Sequence, residues 1–195
     1  MNRNRHASIV GLLLLGTVCV LGINGCGGDG GGAGGKKEFV TLGTAPIGGA
    51  FRPVGDAIAS VLEENKGDNN WKVQSQGTKG SQQNIRQLDN GDIQLGMSNS
   101  AISFHAINGT GVWKKKSNIR AVVTLAPNVG VFVAKADSGL NSIADLKGKR
   151  VTVGPNGAGF NMFLGPLLTD HGVTYDDKNN GFTPVAINYT DSVGQ

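Results

Sequence analysis

Cysteine is nearly absent from this chain: 195 residues hold two, Cys19 and Cys26. Two cysteines cannot staple a fold of this length, which excludes a disulfide scaffold. Charge is sparse, at 16% Asp, Glu, Lys and Arg, so a coiled coil and a charge-driven disordered chain are also excluded. Histidine is scarcer still. Beyond the N-terminal segment there are only His105 and His171, and neither has Cys, Glu or another His at metal-ligand spacing. No Gly-x-Ser-x-Gly elbow occurs. Gly154-Pro155-Asn156-Gly157-Ala158-Gly159 is glycine-rich, yet it lacks the Lys-Ser/Thr of a phosphate loop and the spacing of a dinucleotide fingerprint. We therefore expect no metal, no cofactor and no enzyme. The one long apolar run, residues 7–21, would span roughly 22 Å as a helix, short of the ~30 Å of a bilayer core.

Glycine is abundant, at 32 residues. Much of the excess is local. Residues 1–6 carry Arg3 and Arg5 without an acid, and residues 7–21 follow as an apolar stretch, the pattern of an export signal. Ile23-Asn24-Gly25-Cys26 comes next and resembles a bacterial lipobox, which would make Cys26 the lipid-modified N-terminus; soluble secretion is the alternative. Residues 27–35 contain seven glycines, a composition that cannot pack and reads as a flexible tether over residues 26–37. Loss of the two leader arginines lowers the formal charge from +4 to +2. The basic run Lys114-Lys115-Lys116 has one adjacent aromatic, Trp113, and reads as a solvated loop, so no nucleic-acid partner is expected.

From residue 38 onward strand and helix signals alternate. Residues 38–43, 71–75, 93–97, 150–154 and 182–189 read as strands. Residues 51–66 place Phe51, Val54, Ile58, Val61 and Leu62 on one helical face. Residues 81–88, 101–107 and 160–171 read as further helices, and Ser142-Ile143-Ala144-Asp145 opens a single turn. Residues 119–125 and 129–134 are two more apolar runs. Alternation of this kind implies a mainly parallel α/β sheet, whose ligands bind in the crevice at the carboxyl ends of the strands.

Four loops fall at such ends: residues 44–50 (TAPIGGA), 76–81 (QGTKGS), 98–100 (SNS) and 155–160 (PNGAGF). Small residues let a ligand approach the backbone, and free amides at helix N-termini attract an anion such as a carboxylate. Caps and turns account equally for any one of these loops. Four on one sheet edge point to a binding cleft.

These residues carry a resemblance. Asp137-Ser138-Gly139-Leu140 with residues 142–151 (SIADLKGKRV) is a stretch shared widely among periplasmic binding proteins. Gly48-Gly49 with Phe51 and Pro53, Gly80-Ser81 with Asn84, and Asn108-Gly109-Thr110-Gly111 after Asn99-Ser100 are sharper. Together, over residues 39–195, they resemble the TAXI-type solute receptors of TRAP transporters. The resemblance implies an α/β, periplasmic binding protein-like (type II) two-lobe fold, with residues 38–130 as the first lobe and 131–195 as part of the second. It implies an extracytoplasmic receptor that closes on a small carboxylate or acidic amino-acid solute and delivers it to a TRAP permease subunit in the membrane. Carried over by position, the ligand-binding residues are Thr44, Gly48, Gly49 and Phe51, then Gly80 and Ser81, then Asn99 and Ser100, with Gly157 and Gly159 from the other lobe. They would supply backbone and hydroxyl donors, with Phe51 and Phe104 as apolar walls.

Some positions depart from the family pattern. Arg52 stands where an aromatic is common, so it brings a cation to the cleft or snorkels outward. Ala101 replaces a frequent Asp, and Ala158 and Phe160 stand in place of Ser and Thr. Losing hydroxyls shifts the expected solute toward a carboxylate with a larger apolar portion. Family members continue beyond residue 195, which makes the second lobe incomplete on this reading and the chain a truncated member. Two other classes stay open: an enzyme built on the same bilobal fold, and a lipid-tethered interaction protein.

Overall fold

The computed structural model describes residues 37–175 and 179–193. The leader, the lipobox with Cys26 and nearly all of the tether lie outside the described residues.

Strand β1 (Glu38–Gly43), helix α1 (Phe51–Glu64), β2 (Trp71–Gln76), α2 (Ser81–Asn90), β3 (Leu95–Gly96) and α3 (Ser100–Asn108) follow one another. They build a three-stranded parallel sheet in the order β2-β1-β3. Its register runs from Glu38 opposite Trp71 to Gly43 opposite Gln76, with Leu42 opposite Leu95. A second set follows a 3₁₀ turn (Ile143–Leu146): β4 (Arg150–Thr152), α4 (Asn161–Asp170), β5 (Thr174–Tyr175), β6 (Gly181–Val185) and the short α5 (Tyr189–Ser192). Its sheet is also parallel, in the order β4-β6-β5. Among the described residues every strand pairing is therefore parallel, as the alternation of signals implies.

Local chemistry sets the element ends. Asn99 caps α3 by accepting the Ala101 amide at 3.1 Å, and Gly109 closes it in the left-handed conformation at φ +68°. The Ser142 hydroxyl and amide both donate to Asp145, which opens the 3₁₀ turn with a reciprocal capping box. Those hydrogen bonds, the Asn141 amide first among them, hold the Asp145 carboxyl below its ordinary pKa.

Two apolar clusters form the core. Val153, Leu164, Leu168, Val173 and Phe182 pack between α4 and the second sheet. Ile85, Ile102, Ala106 and Trp113 join α2 to α3, and Met162 and Phe163 of α4 pack against them. The same cluster thus carries residues from both halves.

The structure corrects the end of the last strand and adds burial to the other sequence readings. Helix α1 buries its apolar stripe only in part: Gly55 and Ala59 face the sheet, Phe51, Ile58 and Leu62 are half-buried, and Val54 and Val61 remain 44% and 57% exposed. The reason is close approach, because a Cβ at Gly55 would overlap Thr44 Cγ2 and lie 3.1 Å from Met97 Sδ. In α3 the buried positions are Ile102 and Ala106. The last strand ends at Val185, and Tyr189 opens α5. Residues 120–125 and 129–134 are exposed and form no regular structure, whereas Ile119 is half-buried against the cluster of Ile85, Ile102 and Trp113. Strand β5 carries no periodic signal of its own and is set by pairing with β6.

Candidate functional site

The loops after β1, β2 and β3 are tied together by buried polar side chains. Thr44 is fully buried, and both its amide and its hydroxyl donate to the Gln76 carbonyl at 2.9 Å. The Thr78 hydroxyl donates to the Thr44 carbonyl at 3.0 Å and accepts the Gly80 amide at 3.0 Å. Asn84 is fully buried as well, and its Nδ2 donates to the carbonyls of Gly43, Thr44 and Met97 at 3.1, 2.8 and 2.8 Å. One amide group therefore clamps the carboxyl ends of β1 and β3. This clamp requires Gly43, since a Cβ there would come within 2.7 Å of Asn84 Oδ1. Ser81 Oγ accepts the Asn99 amide at 3.1 Å and so joins the second loop to the third.

The loop after β4 closes against this set. Gln82, itself buried, donates from Nε2 to the Ala158 carbonyl at 3.2 Å. A Cβ on Gly159 would stand 2.9 Å from Ser81 Oγ and 3.3 Å from Ile102 Cγ1. Gly157, at φ +93°, lies over Lys79. On the other flank the Tyr189 ring sits between Gly49 and Gly154: a Cβ at Gly154 would lie 2.8 Å from the ring, and one at Gly49 3.6 Å. A Cβ at Gly48 would meet Thr190 Cγ2 at 2.9 Å. Burial raises the Tyr189 phenol above its ordinary pKa.

The sequence-predicted residues thus fall into three groups. Gly48, Gly49, Gly80, Ser81, Gly157 and Gly159 come together on the seam between the two loop sets. Thr44 and Asn99 lie beneath it, the first committed to Gln76 and the second to capping α3. Ser100 and Phe51 stand at the first turns of α3 and α1, exposed and half-buried respectively. Phe104 is 64% exposed and meets His105 edge-on at 5.9 Å between ring centres. Thr78, Gln82 and Tyr189 were missed. Their only sequence signal is position, at the end of a strand or the start of a helix. Two surface hollows of about 330 and 530 Å³ flank α1, and no predicted site residue lines either one.

Arg52 answers its own question. Its guanidinium lies over Gly77, where a Cβ would overlap Nη1, and pairs with Asp56 at 3.3 Å. The Ser75 hydroxyl donates to the same carboxylate, and that bond, more than the arginine, holds Asp56 below its ordinary pKa. A cation therefore stands beside the loop at the carboxyl end of β2, part-exposed and still paired.

The profile of the NMT1-like family matches residues 42–195. The chain belongs to that family. The NMT1-like family is periplasmic binding protein-like and related to solute receptors, which agrees with the parallel α/β sheets. Its membership gives this chain a substrate-binding role in general terms: such families take up small-molecule solutes, work with a membrane permease and are typically extracytoplasmic. Among the described residues no helix is long and apolar enough to cross a membrane.

Proposed function

We propose that this NMT1-like chain is an extracytoplasmic receptor of the TAXI type, serving a TRAP permease and holding a small carboxylate or amino-acid-like solute between two lobes. One observation carries the reading: loops from the ends of β1, β2 and β3 meet the loop after β4 along a single seam, with Gln82 bonded across it to the Ala158 carbonyl. Glycines at 48, 80, 157 and 159 let the facing loops meet along the seam, where Thr190 and Ser81 fill the space that a Cβ at 48 or 159 would take, and α2, α3 and α4 start from the loops that form it. Such helix starts favour an anion, and Arg52 adds a cation nearby. The groups brought together are hydroxyls, amides and backbone, a set that holds a ligand rather than transforms it. Tyr189 and the apolar Ala158 fit a carboxylate with an apolar or aromatic portion. Anchoring through lipid on Cys26 would keep the receptor at the membrane beside its permease.

In this arrangement the loop sets touch, so solute entry requires the two halves to part at the seam. The test is thermal unfolding of the full chain against dicarboxylates, acidic amino acids and aromatic carboxylates. A compound at 100 times its Kd adds about 2.7 kcal/mol, several degrees for a domain of this size. A specific upward shift by one carboxylate class, abolished by Gly159→Val, supports the proposal. A cooperative melt that no carboxylate moves sinks it.

A further inference from the structure

Five asparagines precede a glycine in this chain, at positions 24, 90, 108, 156 and 180. An Asn-Gly pair can modify itself, because glycine has no Cβ to obstruct attack of its amide nitrogen on the preceding side-chain carbonyl. Asn24 lies outside the described residues, and the other four asparagines are all exposed. Exposure therefore does not distinguish them, but backbone hydrogen bonding does. Asn90 and Asn108 are the last residues of α2 and α3, where Gly91 donates to the Leu88 carbonyl at 3.1 Å and Gly109 to the Ala106 carbonyl at 3.2 Å. The Asn108 side chain is held as well, donating to the Phe104 carbonyl at 2.8 Å. At the start of β6 the Asn180 carbonyl accepts the Thr174 amide at 2.9 Å. Asn156 differs. Its peptide link to Gly157 is the middle of a turn closed by the Ala158 amide on the Pro155 carbonyl at 3.0 Å. Such a turn leaves its central peptide outside the closing bond. Among the described residues neither the Asn156 carbonyl nor the Gly157 amide makes a hydrogen bond.

We propose that Asn156 is a self-modification site, converted by the Gly157 nitrogen to aspartate or isoaspartate through a cyclic imide. The Gly157 amide gives up its proton, and its nitrogen bonds to the side-chain carbonyl carbon of Asn156. The carbon–nitrogen bond of the side-chain amide breaks, and ammonia leaves with that proton. Water then opens the imide and returns a proton to the Gly157 nitrogen. Opening at the side-chain carbonyl gives aspartate on the original backbone, and opening at the main-chain carbonyl gives isoaspartate, whose chain runs through the side-chain carbon. The net change consumes water and releases ammonia, with nothing oxidised or reduced. The product bears on the seam. Gly157 lies over Lys79, and Ala158, next along, accepts the Gln82 bond that joins the facing loops. Aspartate adds a negative charge there, and isoaspartate also lengthens the loop by a methylene. The assignment rests on the backbone of this loop and not on the solute reading.

The test is incubation of the full chain in mildly alkaline buffer, followed by peptide mass spectrometry that separates asparaginyl, aspartyl and isoaspartyl forms. A backbone hydrogen bond that must open before reaction slows it about fivefold to tenfold. Asn156 should therefore convert at least ~fivefold faster than Asn90, Asn108 or Asn180 in the folded chain. In denaturant the four rates should converge, because the sequence pair is the same and only the fold separates them. Equal conversion of the four in the folded chain, conversion led by another of them, or a ranking that denaturant leaves unchanged would each overturn the proposal. So would an Asn156 that stays intact over the time in which the denatured chain reacts.

Discussion

Helices α1 and α4 solve the same problem in opposite ways. Each lies on a three-stranded parallel sheet, yet α4 packs with Leu164 and Leu168 whereas α1 packs with Gly55 and Ala59. Against α4 the sheet offers apolar side chains, Val153, Val173 and Phe182, and a leucine fills the gap. Against α1 it offers a carboxyl edge crowded by Thr44 and Met97, so only small residues fit. The strongly amphipathic helix is therefore the one that keeps part of its apolar stripe, Val54 and Val61, in water. Burial is decided by the neighbour's shape as well as by the helix's own pattern, and the difference follows function: the first sheet is built around buried polar groups that hold the seam loops.

The largest effect expected from breaking this contrast is on the leucine side. Leu168 is fully buried, so Leu168→Ala loses its transfer energy and leaves a cavity, at a cost of about 2–5 kcal/mol. Denaturant unfolding measures it, and a loss below ~1 kcal/mol would mean that the cluster is not packed as described. On the small-residue side, Gly55→Ala forces a methyl onto Thr44 Cγ2. Overpacking of that kind costs about 1–3 kcal/mol, outweighing the gain of roughly 0.5–1 kcal/mol that alanine brings to a helix interior. A stabilised Gly55→Ala variant would show that α1 stands further from the sheet.

The α1 side also depends on pH. Glu63 accepts the Lys66 ammonium at 2.8 Å, the Val73 amide at 2.6 Å and Lys72 at 3.5 Å, and so ties α1 to the edge strand β2. The lysine hydrogen bond first, and the Val73 amide second, lower its pKa from 4.5 to about 2. A carboxyl depressed on folding contributes stability that is full above its unfolded value and lost as pH falls toward the folded one. Glu63→Gln should therefore flatten the acid-side decline of the melting temperature between about pH 4.5 and pH 2. Thermal melts across that window check it, and parallel curves for the variant and the unmodified chain would rule the contribution out.

Much of this was legible in the sequence, for identifiable reasons. Residues 38–43 match β1 residue for residue, because a β-rich run ended by glycine leaves little latitude. Gly91 and Gly109 ended α2 and α3 where a left-handed cap was needed. The seam glycines were legible because strand ends in a parallel sheet share one side. What stayed hidden depended on contacts distant in sequence. Gln82 bonds to a residue 76 positions away, and Tyr189 finds its place between two glycines that no local pattern connects. The runs at residues 119–125 and 129–134 were legible as apolar, while their exposure beyond Ile119 was not, since hydropathy alone does not say which segments a sheet takes in.

The smallest expected effect discriminates best between the two readings of α1. If the helix buried the stripe that its periodicity suggests, Val61→Lys would place a charge in the core and cost several kcal/mol. In the structure Val61 is 57% exposed, so the lysine can extend into water and the change should stay within about 0.5 kcal/mol. Helix propensity even favours it slightly, lysine being unbranched at Cβ. The unfolding midpoint of the variant should therefore stay nearly fixed. A near-neutral Val61→Lys beside a costly Gly55→Ala would show that the face of α1 turned to the sheet is its small-residue side.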